Sequence, residues 1–144
     1  MKEDLAAANV NRSYTLAATN IAIFTFMLFF LYPKFASGTI NPWLFKFTLA
    51  VMGVATFSLV FATFYYYRCS LGDRISDAER MRQGRRGDGF WLLGYTLMLL
   101  APSLVLILVE LFVPASAWLA LWLVYLFFMI GHFTNVQTPQ SPHD

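Results

Sequence analysis

Four long apolar runs separated by short polar stretches set the pattern of the chain. Residues 13–32 make the first run, about twenty residues, which at 1.5 Å per residue just crosses a hydrocarbon core of about 30 Å. Pro33 is expected to stop this helix, and the Pro-, Gly- and Asn-containing stretch 33–42 reads as a turn. Residues 43–67 give a second span, long enough to cross with tilt, with Lys46 near its start, placed to snorkel. The third span covers 90–113 and the fourth 117–133, separated by an uncharged reversal, Val113-Pro114-Ala115-Ser116. Pro102 falls inside the third span and predicts a kink there.

Between the second and third spans lies the only strongly charged segment, residues 68–89, with Arg68, Arg74, Arg80, Arg82, Arg85 and Arg86. Within it, Ser76-Asp77-Ala78-Glu79 has capping-box spacing. That spacing predicts a short surface helix over 77–83, ended by Gly84.

The pattern therefore predicts an all-α integral membrane protein. The fold is a four-helix transmembrane bundle made of two helical hairpins joined by an Arg-rich cytoplasmic loop. It fills residues 1–134, and 135–144 form a disordered cytoplasmic tail. The first apolar run is too long for a signal-peptide core and lacks a small-residue cleavage site, so it is expected to stay in the mature protein. A faint repeat links Tyr14-Thr15-Leu16 and Pro33 to Tyr95-Thr96-Leu97 and Pro114 at matching spacing.

Charge adds orientation. Eight of the ten basic residues lie in the N-terminal segment and the central loop, and only Lys34 and Lys46 lie toward the opposite side. The positive-inside rule then places both termini and the Arg segment in the cytoplasm, in a plasma or inner membrane. Aromatic residues agree: Tyr32, Trp43 and Trp118 fall at one edge, and Tyr65, Tyr66, Tyr67, Phe90 and Trp91 at the other. Composition supports the class, since 58% of residues are hydrophobic, 18% aromatic and only 12% charged, against roughly a quarter charged in soluble domains. The single cysteine, Cys69, excludes an internal disulfide and any cysteine-cluster metal site.

A few polar residues within or beside the spans are candidates for function. Glu110 is the only carboxylate in an apolar run. Burial there is costly and would point to a proton or cation role, but its place near the end of the third span also fits an interfacial side chain paired with Lys34 or Lys46. Asn20, deep in the first span, fits either an interhelical hydrogen bond or substrate contact. His132, near the end of the fourth span, has no second membrane histidine with which to ligate haem. Arg74, Arg80, Arg82, Arg85 and Arg86 serve either as topology determinants or as contacts for a partner or for anionic lipid. Ala18, Ala22, Ala55, Ser58, Ala62, Gly94 and Ala101 mark faces where helices can approach closely.

No catalytic, cofactor-binding or metal-binding signature accompanies these residues, so no cofactor and no enzymatic activity are expected. The leading expectation is an accessory or scaffolding subunit of a larger membrane complex. Its partners would be membrane lipids and other membrane subunits or further copies of itself, with no nucleic acid. The alternative is a homo-oligomeric ion channel or small-solute transporter, with Asn20, Thr15, Thr19, Ser58, Thr63 and Thr96 lining a polar path. A lipid- or quinone-handling enzyme subunit is third.

Overall fold

The computed structural model describes residues 2–70 and 76–136, with side chains described for 5–70 and 76–129. Four helices follow one another: α1 (Lys2–Ala36), α2 (Pro42–Cys69), α3 (Asp77–Leu108) and α4 (Phe112–Val136). No strand occurs among the described residues. Each helix is long and apolar enough to cross a bilayer, which marks a multi-pass membrane protein.

The helix ends differ from the sequence expectation in four places. Pro33 does not stop α1, which continues to Ala36. The stop is Gly38, at φ 73°, where Thr39 N–H donates to the Lys34 carbonyl and Gly38 N–H to the Phe35 carbonyl, each at 3.0 Å. This is a Schellman closure, and glycine enters the left-handed region without steric cost. Asn41 then caps α2 by accepting from Trp43 N–H at 3.0 Å and Leu44 N–H at 3.2 Å, with Pro42 at the first helical position.

The second difference concerns the reversal before α4. It lies at Val109–Leu111, not at 113–116: Leu111 N–H donates to the Leu106 carbonyl at 2.9 Å and Glu110 N–H to that of Ile107 at 3.0 Å. Glu110, at φ 64°, holds the place that Gly38 holds in the first turn. Pro114 sits instead in the first turn of α4, where a missing N–H costs no helical bond. Pro33 and Pro114 thus occupy opposite helix ends and are not structural equivalents.

Third, the Arg-rich segment is not a loop from Asp77 onward. Ser76 caps α3, its Oγ accepting from Glu79 N–H at 3.3 Å, and the helix runs through Gly84, Gly87 and Gly89 without a break. The Glu79 carboxylate accepts from the Gln83 amide. Fourth, α4 reaches Val136, two residues into the expected tail, while residues 137–144 lie outside the described ones.

Packing explains why the glycines do not end α3. The main interface of the molecule joins α2 to α3, so the chain is not two independent hairpins; α1 lies against α2, and α4 against α3. On α2 the buried set repeats every seven residues as Phe45, Met52, Leu59 and Tyr66, with Thr48, Ala55, Ala62 and Cys69 alongside. On α3 the matching row is Gly87, Gly94, Ala101 and Leu108. A seven-residue repeat keeps one seam facing its partner along a left-handed crossing. Large residues of α2 fill the gaps left by small ones of α3. A Cβ on Gly94 would lie 2.8 Å from Leu59 Cγ and 3.0 Å from the Ala55 carbonyl oxygen, and one on Gly87 2.9 Å from Tyr66 Cε1. Close contact over this seam offsets the weak helix propensity of glycine, which costs about 1 kcal/mol per residue.

Helix α4 is the outlier. Only 6% of its most apolar window is buried in the protein, against 39% for α2. It is fastened by two indoles one turn apart, Trp118 Nε1 donating to the Leu99 carbonyl at 2.7 Å and Trp122 Nε1 to the Thr96 carbonyl at 2.9 Å. Trp118 is thus tied to the middle of α3 and is not simply a belt residue. Both acceptors lie within the two turns before Pro102, which has no N–H to give to the Met98 carbonyl.

Candidate functional sites

Two polar constellations survive in this apolar frame. The first is at the end of the bundle that holds the N-terminus. At 1.5 Å per residue α3 is about 48 Å long, well beyond the thickness of a hydrocarbon core of about 30 Å. Its first turns, Asp77–Gly89, therefore extend past the apolar part as a continuous helix. Gln83 and Gly87 turn inward, while Ala78, Met81, Arg82, Arg85 and Arg86 occupy the opposite, exposed face and border a shallow open depression. The spacing i, i+3, i+4, i+7, i+8 is what places three guanidinium groups and one thioether on a single stripe.

Several contacts brace this extension. Tyr66 of α2 donates its hydroxyl to Asp88 Oδ1 at 2.7 Å. The Cys69 thiol, buried, donates to the Arg80 carbonyl at 3.4 Å. The Arg12 guanidinium of α1 lies 4.7 Å from the centre of the Trp91 ring, which stacks on Tyr95. Arg80 is different from the exposed arginines: it is partly buried and 3.8 Å from Asp77. Arg74 lies outside the described residues.

The second constellation is Asn20, fully buried in α1. Its Nδ2 donates to the Met52 carbonyl at 2.9 Å and to Thr56 Oγ1 at 2.7 Å, and Thr56 Oγ1 itself donates to the same carbonyl at 2.9 Å. This triangle joins α1 to α2. The hydroxyls of Thr15, Thr19 and Thr63 close on carbonyls of their own helices, those of Asn11, Thr15 and Leu59, at 2.9, 2.9 and 3.0 Å.

The remaining candidates are not drawn into either group. Glu110 is exposed in the α3–α4 turn, outside both helices, and forms no ion pair with Lys34 or Lys46 among the described residues. His132 lies on α4, but its side chain is outside the described ones. No group of three or more metal-ligating side chains occurs among the described residues.

Sequence reasoning passed over Tyr66, Asp88, Trp118 and Trp122 as hydrogen-bonding residues. For the seam, the small residues Ala55, Ala62, Gly94 and Ala101 carried the signal, and Gly87 was passed over. Comparison of the chain with known protein families, with curated proteins and with solved structures finds no match in any of the three.

Proposed function

We propose that this protein is an accessory subunit of a larger membrane assembly, and that the Arg82, Arg85 and Arg86 stripe is where it docks an acidic segment of its partner. One observation carries the reading. A rigid helix, braced by Tyr66–Asp88 and Arg12–Trp91, projects three exposed guanidinium groups on one face past the apolar span. Arginine offers a planar fork that engages a carboxylate in two parallel hydrogen bonds, which lysine does not. By the distribution of positive charge, this end and both termini face the cytoplasm.

A channel formed between copies has less support. Of the hydroxyls that would line its path, those of Thr15, Thr19 and Thr63 close on their own helices, and the Asn20 amide protons hold α2.

The test is to change Arg82, Arg85 and Arg86 to Lys together. Topology depends on positive charge, so insertion and orientation are expected to persist. Co-purification of the partner from mild detergent is expected to fall at least several-fold, since the loss of even one charge-assisted fork removes about 1 kcal/mol or more. Undiminished co-purification with the triple variant would leave the stripe as a topology determinant alone. Loss of flotation with vesicles containing anionic lipid, with co-purification unchanged, would assign it to headgroups instead.

A further inference from the structure

The triangle that ties Asn20 to α2 leaves one atom over. Both amide protons are directed at α2, toward the Met52 carbonyl and Thr56 Oγ1, and Asn20 Oδ1, buried with the rest of the side chain, has no hydrogen-bond partner. The assignment of the two amide atoms is not arbitrary. Thr56 Oγ1 donates its own proton to the Met52 carbonyl, so both neighbours present lone pairs to Asn20 and the nitrogen must face them. The oxygen is left as a bare acceptor, a costly arrangement in the dry interior.

Asn20 also lines a cavity of about 230 Å³ between α1, α3 and α4. Leu16 and Ile23 flank it on α1, Pro102 and Val105 form its floor on α3, and Trp118 closes it on α4. The Trp118 indole N–H is already donated to the Leu99 carbonyl, and Tyr95 presents a ring stacked on Trp91. The space exists because α1 and α4 each lean on a different side of the central pair and scarcely approach one another. Its walls are apolar apart from the Asn20 amide and the Tyr95 hydroxyl, and Oδ1 of that amide is a buried acceptor without a donor.

We propose that this cavity is a binding site for a membrane-soluble long-chain alcohol, an apolar chain bearing one hydroxyl that donates to Asn20 Oδ1. The largely apolar walls suit a hydrocarbon chain better than water, and the bare acceptor calls for a single donor. The volume is below the roughly 300 Å³ at the low end for small-molecule pockets. The cavity therefore takes the hydroxyl and the first part of the chain, and the remainder runs out between α1 and α4 into the bilayer. This site is independent of the arginine stripe and stands or falls without it.

The test uses the full chain in phosphatidylcholine vesicles and two photoreactive probes of equal length, a long-chain alcohol and its methyl ether, each carrying a diazirine near the oxygen. Saturable labelling by the alcohol is expected on peptides around Leu16–Ile23 and Met98–Val105. Labelling by the ether is expected to be about fivefold lower, the size of one net hydrogen bond. Asn20→Leu should bring the alcohol down to the ether's level. Because Asn20→Leu also removes the tie to α2, Val105→Phe serves as a second variant that fills the cavity and leaves that tie intact. It should suppress labelling by both probes. Equal labelling by alcohol and ether overturns the donor assignment. Unsaturable labelling spread over the lipid-facing surface, or labelling unchanged in Val105→Phe, overturns the site.

Discussion

Gly38 and Glu110 hold the same backbone conformation at the ends of two helices, and only one of them is suited to it. A side chain in the left-handed region costs about 1–2 kcal/mol through the clash of Cβ with the following carbonyl. Glu110→Gly removes that cost, and although glycine gives back part of it as chain entropy, the variant is expected to be at least as stable as the native chain. Glu110→Val, with branching at Cβ, is expected to lose about 1 kcal/mol or more. Thermal unfolding in detergent would compare them, and a Glu110→Gly variant clearly less stable than the native protein would give the carboxylate a structural role of its own. Read in sequence, Glu110 was a carboxylate three residues inside a span. Its exposure follows from a turn that only the backbone hydrogen bonds of Leu111 and Glu110 reveal.

At the scale of elements, the α2–α3 seam and the α3–α4 attachment behave differently. Gly94 faces Leu59, which is fully buried, and the backbone carbonyl of Ala55, neither of which can yield easily. Gly94→Ala is therefore expected to destabilise the bundle by about 1–3 kcal/mol through overpacking. Gly53→Ala, where an added Cβ meets nothing within 4 Å, is expected to be neutral or stabilising by up to about 1 kcal/mol. Similar melting temperatures for the two variants would contradict the close-approach seam. Helix α4 relies on two indole bonds instead of a broad buried face. Trp118→Phe with Trp122→Phe keeps the aromatic volume but removes both donors, each worth about 0.6–2 kcal/mol in a membrane. Faster hydrogen exchange confined to α4 and to residues 96–103 is expected. Unchanged exchange would show that ring packing, including the Tyr95–Tyr125 edge contact at 5.9 Å, holds the helix by itself.

For the whole molecule, the α1–α2 turn and the α3–α4 turn lie at one end, and the arginine stripe and the start of α1 at the other. Cys69 is buried against the Arg80 carbonyl and is a poor reporter of sidedness. In a Cys69→Ala background, Arg82→Cys is expected to react with an impermeant thiol reagent only from the cytoplasmic side, and Ser37→Cys only from the opposite side. The reverse pattern would invert the orientation and remove a cytoplasmic partner from consideration.

What the sequence determined by itself was the class and the number of spans. Twenty or more consecutive apolar residues admit no other backbone than helix in lipid, because every N–H and C=O must be satisfied within the segment. The cap at Ser76 was also readable, since it depends on neighbours within three residues. Tertiary structure decided where helices continue through residues that usually break them. Gly84 and Gly87 remain helical in an extension braced by α2, Pro33 lies a turn before the true stop, and Pro114 falls where its missing N–H is harmless. It also decided which polar atoms have partners, because whether Asn20 meets Met52, or Trp118 meets Leu99, depends on how two helices are turned about their axes. In a chain whose helices are apolar nearly all round, periodicity does not set that rotation; close packing at Gly87, Gly94 and Ala101 does.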